Sequence, residues 1–260
     1  MSLGPDAHHG HGAADSAGQP WAGRSFTPNA AASDDGAADP ALQAALNGFV
    51  AGSVLPEDVV EAFRAARVLV PLLAHAGEIG TAPDGHLVDK TQELSIVTVA
   101  GPDGRTVLPA FTSVETLSVW NPRARPVPAA GPRVALAAVS EETQLIVIDP
   151  ASPGEFVLRR PAVYALASGE PWMPSYRDPV VRAAFEASVA AEPAVARIAL
   201  DNGDPQQRLA AEELVVSLAL RPGLSQQELQ PLVQRLTARW AASPEIAGGV
   251  DSMTLRLAPA

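Results

Sequence analysis

From Asp39 to Leu73 the apolar positions change spacing in a way that marks two helices and then a strand. Leu42, Ala45, Leu46, Phe49 and Val50 recur at i, i+3, i+4, i+7 and i+8, which is one face of a helix. Asp39-Pro40 precedes them, an N-cap followed by proline at the first helical position. A second helix opens at Pro56-Glu57-Asp58, whose acids complement the helix dipole, and it turns Val59, Val60, Phe63 and Ala66 inward. Val68 to Leu73 is then a continuous apolar run, the pattern of a buried strand. After a stretch punctuated by glycine and proline, 74–90, which reads as a loop, Leu94 to Val99 is the next strand. Gly101-Pro102-Asp103-Gly104 is a turn, since proline presets one dihedral and glycine admits positive φ, so Arg105 to Ala110 returns antiparallel.

That hairpin leads into VLPAFTSVETLSVWNP, residues 107–122. Pro109 removes a backbone donor, which predicts an edge strand or a strand end there. Thr112 stands three residues before Glu115, the spacing of a capping box, and Val114, Leu117 and Trp120 follow on one helical face until Asn121-Pro122 stops the helix. On this reading Thr112 is spent on the cap and Ser113 is left free, while Phe111 and Trp120 anchor the helix to the sheet. The proline- and arginine-rich residues 121–132 read as an irregular surface connection, and Val134 to Ser140 as a short helix.

Gln144 to Ile148 is a buried strand that ends at Asp149-Pro150. A tight turn to Gly154 leads to a partnering strand, Phe156 to Leu158, and Arg159-Arg160-Pro161 opens another helix that ends at Ser168-Gly169. Asp178-Pro179 repeats the cap-and-proline signal before a helix to about Glu192. Val195 to Leu200 and Glu213 to Leu220 read as strands, Ser225 to Trp240 as a helix with its own capping box at Ser225 and Glu228, and Met253 to Leu257 as a last strand. Pro231 implies a kink, or a start for the regular helix near it.

The predicted fold is therefore α/β (α+β): a mixed sheet with helices packed on it, followed by a smaller β-β-α-β domain. The expected divisions are a tail over 1–38, the larger domain over 39–177 and the smaller one over 178–260, which at about 80 residues is small enough to need a neighbour to dock on. Residues 1–38 are dominated by Gly, Ala, Ser, Asp and Pro, too poor in apolar surface to offset the entropy of ordering, and are expected to be disordered. His8, His9 and His11 lie close together there without an acid to complete a metal site. Trp21 and Phe26 are its aromatic residues and would suit a short docking motif. His75, Glu78, His86 and Asp89 read as loop side chains.

Charge and cysteine content narrow the chemistry. The 260 residues carry 29 acids against 18 bases, a net charge of -11, which opposes affinity for nucleic acid and for anionic membranes. With no cysteine, disulfides, thiolate metal sites and a cysteine nucleophile are excluded. The opening residues have neither a basic n-region nor an apolar h-region, and no apolar run reaches membrane-spanning length, so a soluble cytoplasmic protein is expected.

The residues LPAFTSVETLSVW, then IDPASPGEFVLRRPAVYAL and PWMPSY, resemble the SseB family, named for an enhanced serine-sensitivity phenotype, and its actinobacterial branch in particular. The likeness spans about residues 55–176. It implies an α/β N-terminal domain and a smaller α/β C-terminal one, and no defined reaction, cofactor or catalytic residue. The positions it carries over are Leu108, Pro109, Phe111, Thr112, Ser113, Trp120, Asp149 and Pro150. The long N-terminal tail and the arginine-rich 123–133 depart from the family pattern.

Three functional classes remain. The first is a non-catalytic interaction or regulatory protein, with a protein partner or self-association, because the hydroxyls and carboxylates are assigned to caps and turns. The second is a module for an amino acid or small anion, since Arg159 and Arg160 stand at a helix start with Arg123, Arg125, Arg133 and Arg177 nearby in the chain; the competing reading is ion pairing with Glu141, Glu142, Glu155 and Glu170. The third is a hydrolase-like enzyme using Ser113 with Asp149, for which no histidine is in evident reach. The candidate ligand or partner residues are Phe111, Thr112, Ser113, Trp120, Asp149, Pro150, Arg159 and Arg160. No catalytic residue, metal or cofactor is assigned.

Overall fold

Helix α1 (Pro40–Val50) starts where the sequence places it: the Asp39 carboxylate accepts from the amides of Ala41 and Leu42 at 2.9 and 3.1 Å. The computed structural model describes residues 34–74, 79–81, 87–89 and 94–260. Most of the expected tail, with His8, His9, His11, Trp21 and Phe26, lies outside the described residues, as do His75, Glu78 and His86. The last residues of that tail are nevertheless tied down. Gly36 O accepts from Val114 N at 2.9 Å and Ala37 O from Arg67 Nη2 at 2.6 Å. Gly36 holds φ at +73°, and a Cβ there would meet Val114 Cγ2 at 2.4 Å, so only glycine fits.

In chain order the remaining elements are α2 (Pro56–Ala65), β1 (Arg67–Ala74), β2 (Ile79–Thr81), β3 (Leu87–Asp89), β4 (Leu94–Ile96), β5 (Val99–Ala100), β6 (Thr106–Ala110), α3 (Val114–Trp120), β7 (Arg125–Ala130), α4 (Gly131–Ser140), β8 (Ile146–Ile148), β9 (Phe156–Leu158) and α5 (Arg160–Ser168). They are followed by α6 (Pro179–Val189), β10 (Val195–Asn202), β11 (Leu214–Leu220), α7 (Gln226–Ala242), α8 (Pro244–Gly249) and β12 (Met253–Pro259). The strands order as β4-β1-β7, β5-β6-β8-β9, β2-β3 and β10-β11-β12. The β6–β8 and β11–β12 pairs are parallel and the others antiparallel, which is the mixed α/β arrangement the sequence predicts. Within the expected loop 74–90, β2 and β3 form a short antiparallel pair.

Two proline-bearing strands differ from the sequence reading. Residues 125–130 are not irregular but pair with β1, Pro126 opposite Pro71 and Pro128 opposite Leu69. Leu69 exchanges both backbone bonds with Phe111 on its other side, at 2.8 Å each. Nothing is therefore asked of the residue facing it on β7, and two prolines two apart put both missing donors on the outer side of an edge strand. Pro109 neither ends β6 nor makes it a sheet edge. Leu108 N bonds Leu145 O and Asp149 N bonds Ala110 O, so the even residues of β6 serve β8, and Pro109 points to the other side, beyond the end of β5. Extending the Leu69–Phe111 register would set Pro71 opposite Pro109, two residues without donors, which is why that contact stays a single bridge.

Residues 35–260 form one unit with two principal apolar cores. In the first, Leu42, Leu46, Phe63, Val68, Leu108, Val134, Ile146, Phe156 and Val163 bring α1, α2, α4 and α5 onto the strands. In the second, Val181 and Phe185 of α6 join Leu232 and Trp240 of α7 over Leu200, Leu214, Val216 and Leu218 of the sheet. Helix α7 runs unbroken from Gln226 to Ala242 with Pro231 inside it. Helix α8, absent from the sequence reading, carries a local signal: Ser243 caps it by accepting from Ile246 N, and Pro244 and Glu245 follow.

Candidate functional site

The candidate residues fall into two groups at opposite ends of the same sheet. The registers pair Ile148 with both Ala110 and Phe156, and Ile146 with both Leu108 and Leu158. Asp149 and the residues after Ala110 therefore leave at the carboxyl end of the parallel strands, whereas Arg159 follows Leu158 at the other end.

At the first end, Thr112 is fully buried and is not the helix cap. Its amide donates to Asp149 Oδ1 at 2.8 Å and its hydroxyl to Asp149 Oδ2 at 2.7 Å. The cap lies one residue later. Ser113 Oγ accepts from Thr116 N at 3.2 Å, and Thr116 Oγ1 accepts from Ser113 N at 3.3 Å. Ser113 is thus not left free, and Glu115 takes no part in the box. Asp149 holds φ at 45°, a left-handed conformation that Asp tolerates better than most residues, and its carbonyl accepts from Ser152 N at 3.1 Å to close the turn that carries Pro150. The Phe111 and Trp120 rings stand 5.2 Å apart and pack with Leu69 and Leu117, so this end is built as a packed junction.

At the second end, Arg159 is the N-cap of α5 and only 2% exposed. Its Nη2 donates to Asp204 Oδ2 at 2.6 Å and to Ala211 O at 2.8 Å; its Nη1 donates to Asp251 Oδ2 at 3.0 Å and Ser252 Oγ at 3.2 Å. Arg159 Nε is buried without a partner among the described residues. Arg105 holds the same Asp251 with two parallel bonds, Nη1 to Oδ1 at 3.0 Å and Nη2 to Oδ2 at 2.9 Å, and reaches Asp103 with Nε at 2.6 Å. Glu213 extends the cluster, accepting from Asp251 N at 2.7 Å and from Ser175 Oγ at 2.7 Å. Arg160 donates to the carbonyls of Ala247, at 2.8 Å, and of Val250. Among these bonds neither guanidinium uses Glu141, Glu142, Glu155 or Glu170, the acids expected as surface partners.

The environment splits the two neighbouring carboxyls. Burial pushes Glu213 up, against the bonds it accepts from the Asp251 amide and Ser175. Burial acts the same way on Asp251, but the Arg105 fork and Arg159 outweigh it and hold Asp251 below the usual aspartate range. Arg105 is raised by Asp251 and Asp103 and stays charged. A cleft of about 440 Å³ lined by Arg105, Gln144, Arg160 and Asp251 opens on one side, and one of about 580 Å³ lined by Arg105, Ala211, Asp251 and Ser252 on another. Divergent carboxyls are a pattern used in acid–base chemistry, yet here each faces fixed donors of the chain. Among the described residues, no group of three or more His, Asp or Glu side chains is placed to hold a metal ion.

Sequence reasoning singled out Arg159 and missed Arg105, Ser175, Asp204, Glu213, Asp251 and Ser252. Local pattern offers one hint: Glu213, the second of two adjacent acids, and Asp251 stand within two residues of the start of β11 and β12. Among the described residues no helix is long and apolar enough to cross a membrane. Residues 42–165 match the family model for the SseB protein N-terminal domain. No curated protein and no solved structure matches the chain.

Proposed function

The chain belongs to the SseB family, and from that premise we propose that it acts as a non-catalytic interaction or regulatory protein of the cytoplasm. One observation carries this reading: the side chains best suited to chemistry are engaged with one another. Thr112 and Asp149 satisfy each other, Ser113 is held in a cap, and Arg159 has its terminal nitrogens on carboxylates, a hydroxyl and a carbonyl. Buried polar groups arranged in this way fix geometry, and they offer an incoming substrate few unpaired donors. The anion-binding alternative loses support for the same reason, since Arg159 and Arg160 already have acceptors in the chain.

The test is capture from the native cell with the full chain as bait, alongside native mass spectrometry of the purified protein. A stoichiometric protein partner is the expected result. An empty capture together with a co-purifying amino acid or anion would overturn the reading in favour of ligand binding. Loss of function in Ser113→Ala that is not shared by Thr116→Val, which breaks the same capping box, would overturn it in favour of an enzyme.

A further inference from the structure

Among the described residues the sheet β10-β11-β12 has two unpaired edges, and the β10 edge is self-complementary. Gly203 N bonds Glu213 O and Arg221 N bonds Ala194 O, whereas Leu214 N bonds Ser252 O and Ala260 N bonds Leu220 O. The odd residues of β11 therefore serve β10 and the even ones serve β12. The register shifts between Val195 and Arg197; from Arg197 onward, with Ala199↔Ser217 and Asp201↔Val215, the odd residues of β10 are spent on β11. The backbone groups of Ile198, Leu200 and Asn202 face the open side. The strand, VARIALDN, contains no proline or lysine, residues that usually blunt such edges, and its bulge lies at its start, between Val195 and Arg197.

We propose that a second copy of this chain pairs with this edge, antiparallel, about a two-fold axis at Ala199. Parity limits the registers to those that set even residues opposite even ones. Centring on Ala199 sets Ile198 opposite Leu200 of the other copy, where each exchanges both backbone bonds. It also sets Arg197 opposite Asp201, twice, at non-hydrogen-bonded positions, where facing side chains approach most closely. Arg197 and Asp201 are both exposed and form no ion pair among the described residues. Shifting the axis to Ile198 or Leu200 would leave both charges opposite Ala199 or residues outside the pair. The half-buried Ile198 and buried Leu200 lie on the helix-covered face, so the same register joins the two apolar cores along the new seam. Strand β12 is the poorer edge for this: its charged residue is Arg256, and it ends in Pro259. This inference concerns assembly and stands independently of the proposed cellular role.

The chain has no cysteine, so a single introduced thiol reports the register directly. In the full chain, Ala199→Cys brings the two thiols to a Cα separation of about 4.5 Å, within disulfide reach. Ser217→Cys, on the same face of the central strand, leaves them three strand spacings apart, about 14 Å. Mild oxidation is expected to convert most of Ala199→Cys, and little of Ser217→Cys, to covalent dimer. By sedimentation, Arg197→Asp and Asp201→Arg alone should each weaken the dimer at least about tenfold, and the double exchange should restore it. Exposed side chains of this kind leave folding intact, which circular dichroism checks. A monomeric wild type at about 100 μM, well above the working range of specific dimers, equal cross-linking of both cysteine variants, or a double exchange no tighter than the single ones would overturn the proposal.

Discussion

Replacing Arg159 by methionine keeps a stem of similar volume and removes the guanidinium from the centre of the buried cluster. Four acceptors lose one donor each: Asp204, Asp251, Ser252 and Ala211 O. Removing one partner of a buried ion pair costs roughly 3–5 kcal/mol, because the remaining charge stays buried. The lower end applies here. Asp251 keeps the Arg105 fork, and Asp204 keeps the amides of Arg208 and Leu209 at 2.9 and 2.8 Å. A loss of about 3 kcal/mol in a chain of this size lowers the melting temperature by about 6–12 °C, measured by circular dichroism together with urea titration.

The pH dependence separates an ionic role from mere packing. Asp251 has its folded pKa below the ordinary aspartate value, so the stability it contributes is complete above that value and is lost as pH falls through the lower folded one. In Arg159→Met, Asp251 faces its burial with Arg105 alone, its pKa rises, and its contribution at neutral pH shrinks. The gap between wild type and variant is therefore widest near pH 7 and narrows towards pH 3. A loss under about 1 kcal/mol at pH 7 would place Arg159 in the range of ordinary surface substitutions. That result, or a gap unchanged at pH 3, would refute the ionic reading.

Three further outcomes are expected. Thr112→Val, which strands a buried carboxylate oxygen of Asp149, should cost about 1–3 kcal/mol, and Ser113→Ala about 1 kcal/mol for the lost cap; the reverse ranking in urea unfolding would return the cap to Thr112. Gly131→Ala should be strongly destabilising, because its Cβ would sit 2.0 Å from the Phe63 carbonyl oxygen, while Gly154→Ala, whose Cβ would have no neighbour nearer than 3.8 Å, should cost far less; equal melting temperatures would contradict this. Glu192 is held below the usual glutamate value by its bond to Arg235, with Arg239 beside it, so its contribution is lost as pH falls through that lower folded pKa. Glu192→Gln should accordingly flatten the decline of urea midpoints between pH 5 and pH 3, and parallel curves would count against it.

Local signals sufficed wherever the responsible interaction is local. Asp39-Pro40, Asp178-Pro179 and the Ser225–Glu228 box start α1, α6 and α7 as expected. The error at α3 has the opposite cause. Both Thr112 with Glu115 and Ser113 with Thr116 offer a side chain at the capping distance, and the choice is made by Asp149, 37 residues away from Thr112. The strand at β7 was illegible because its prolines look disruptive until Leu69 is known to be bonded to Phe111. Arg159 reads as one cation at a helix start, while its partners lie 45, 52, 92 and 93 residues further on, beyond any periodicity.

The placement of that cluster also bears on what kind of protein this is. In open α/β sheets, ligands gather at the carboxyl ends of the parallel strands. Here Thr112 and Asp149 bond each other at that end, and the tilted Phe111–Trp120 pair packs there. The charged cluster occupies the other end, and its composition is divided along the chain: Arg105 and Arg159 lie within the matched N-terminal domain, whereas Asp204, Glu213, Asp251 and Ser252 lie beyond it. The cations of one segment meet the carboxylates of the other at a shared buried surface. Such an arrangement makes the downstream sheet a complement to the family domain, because separating them would leave two arginines and two aspartates without these counter-charges.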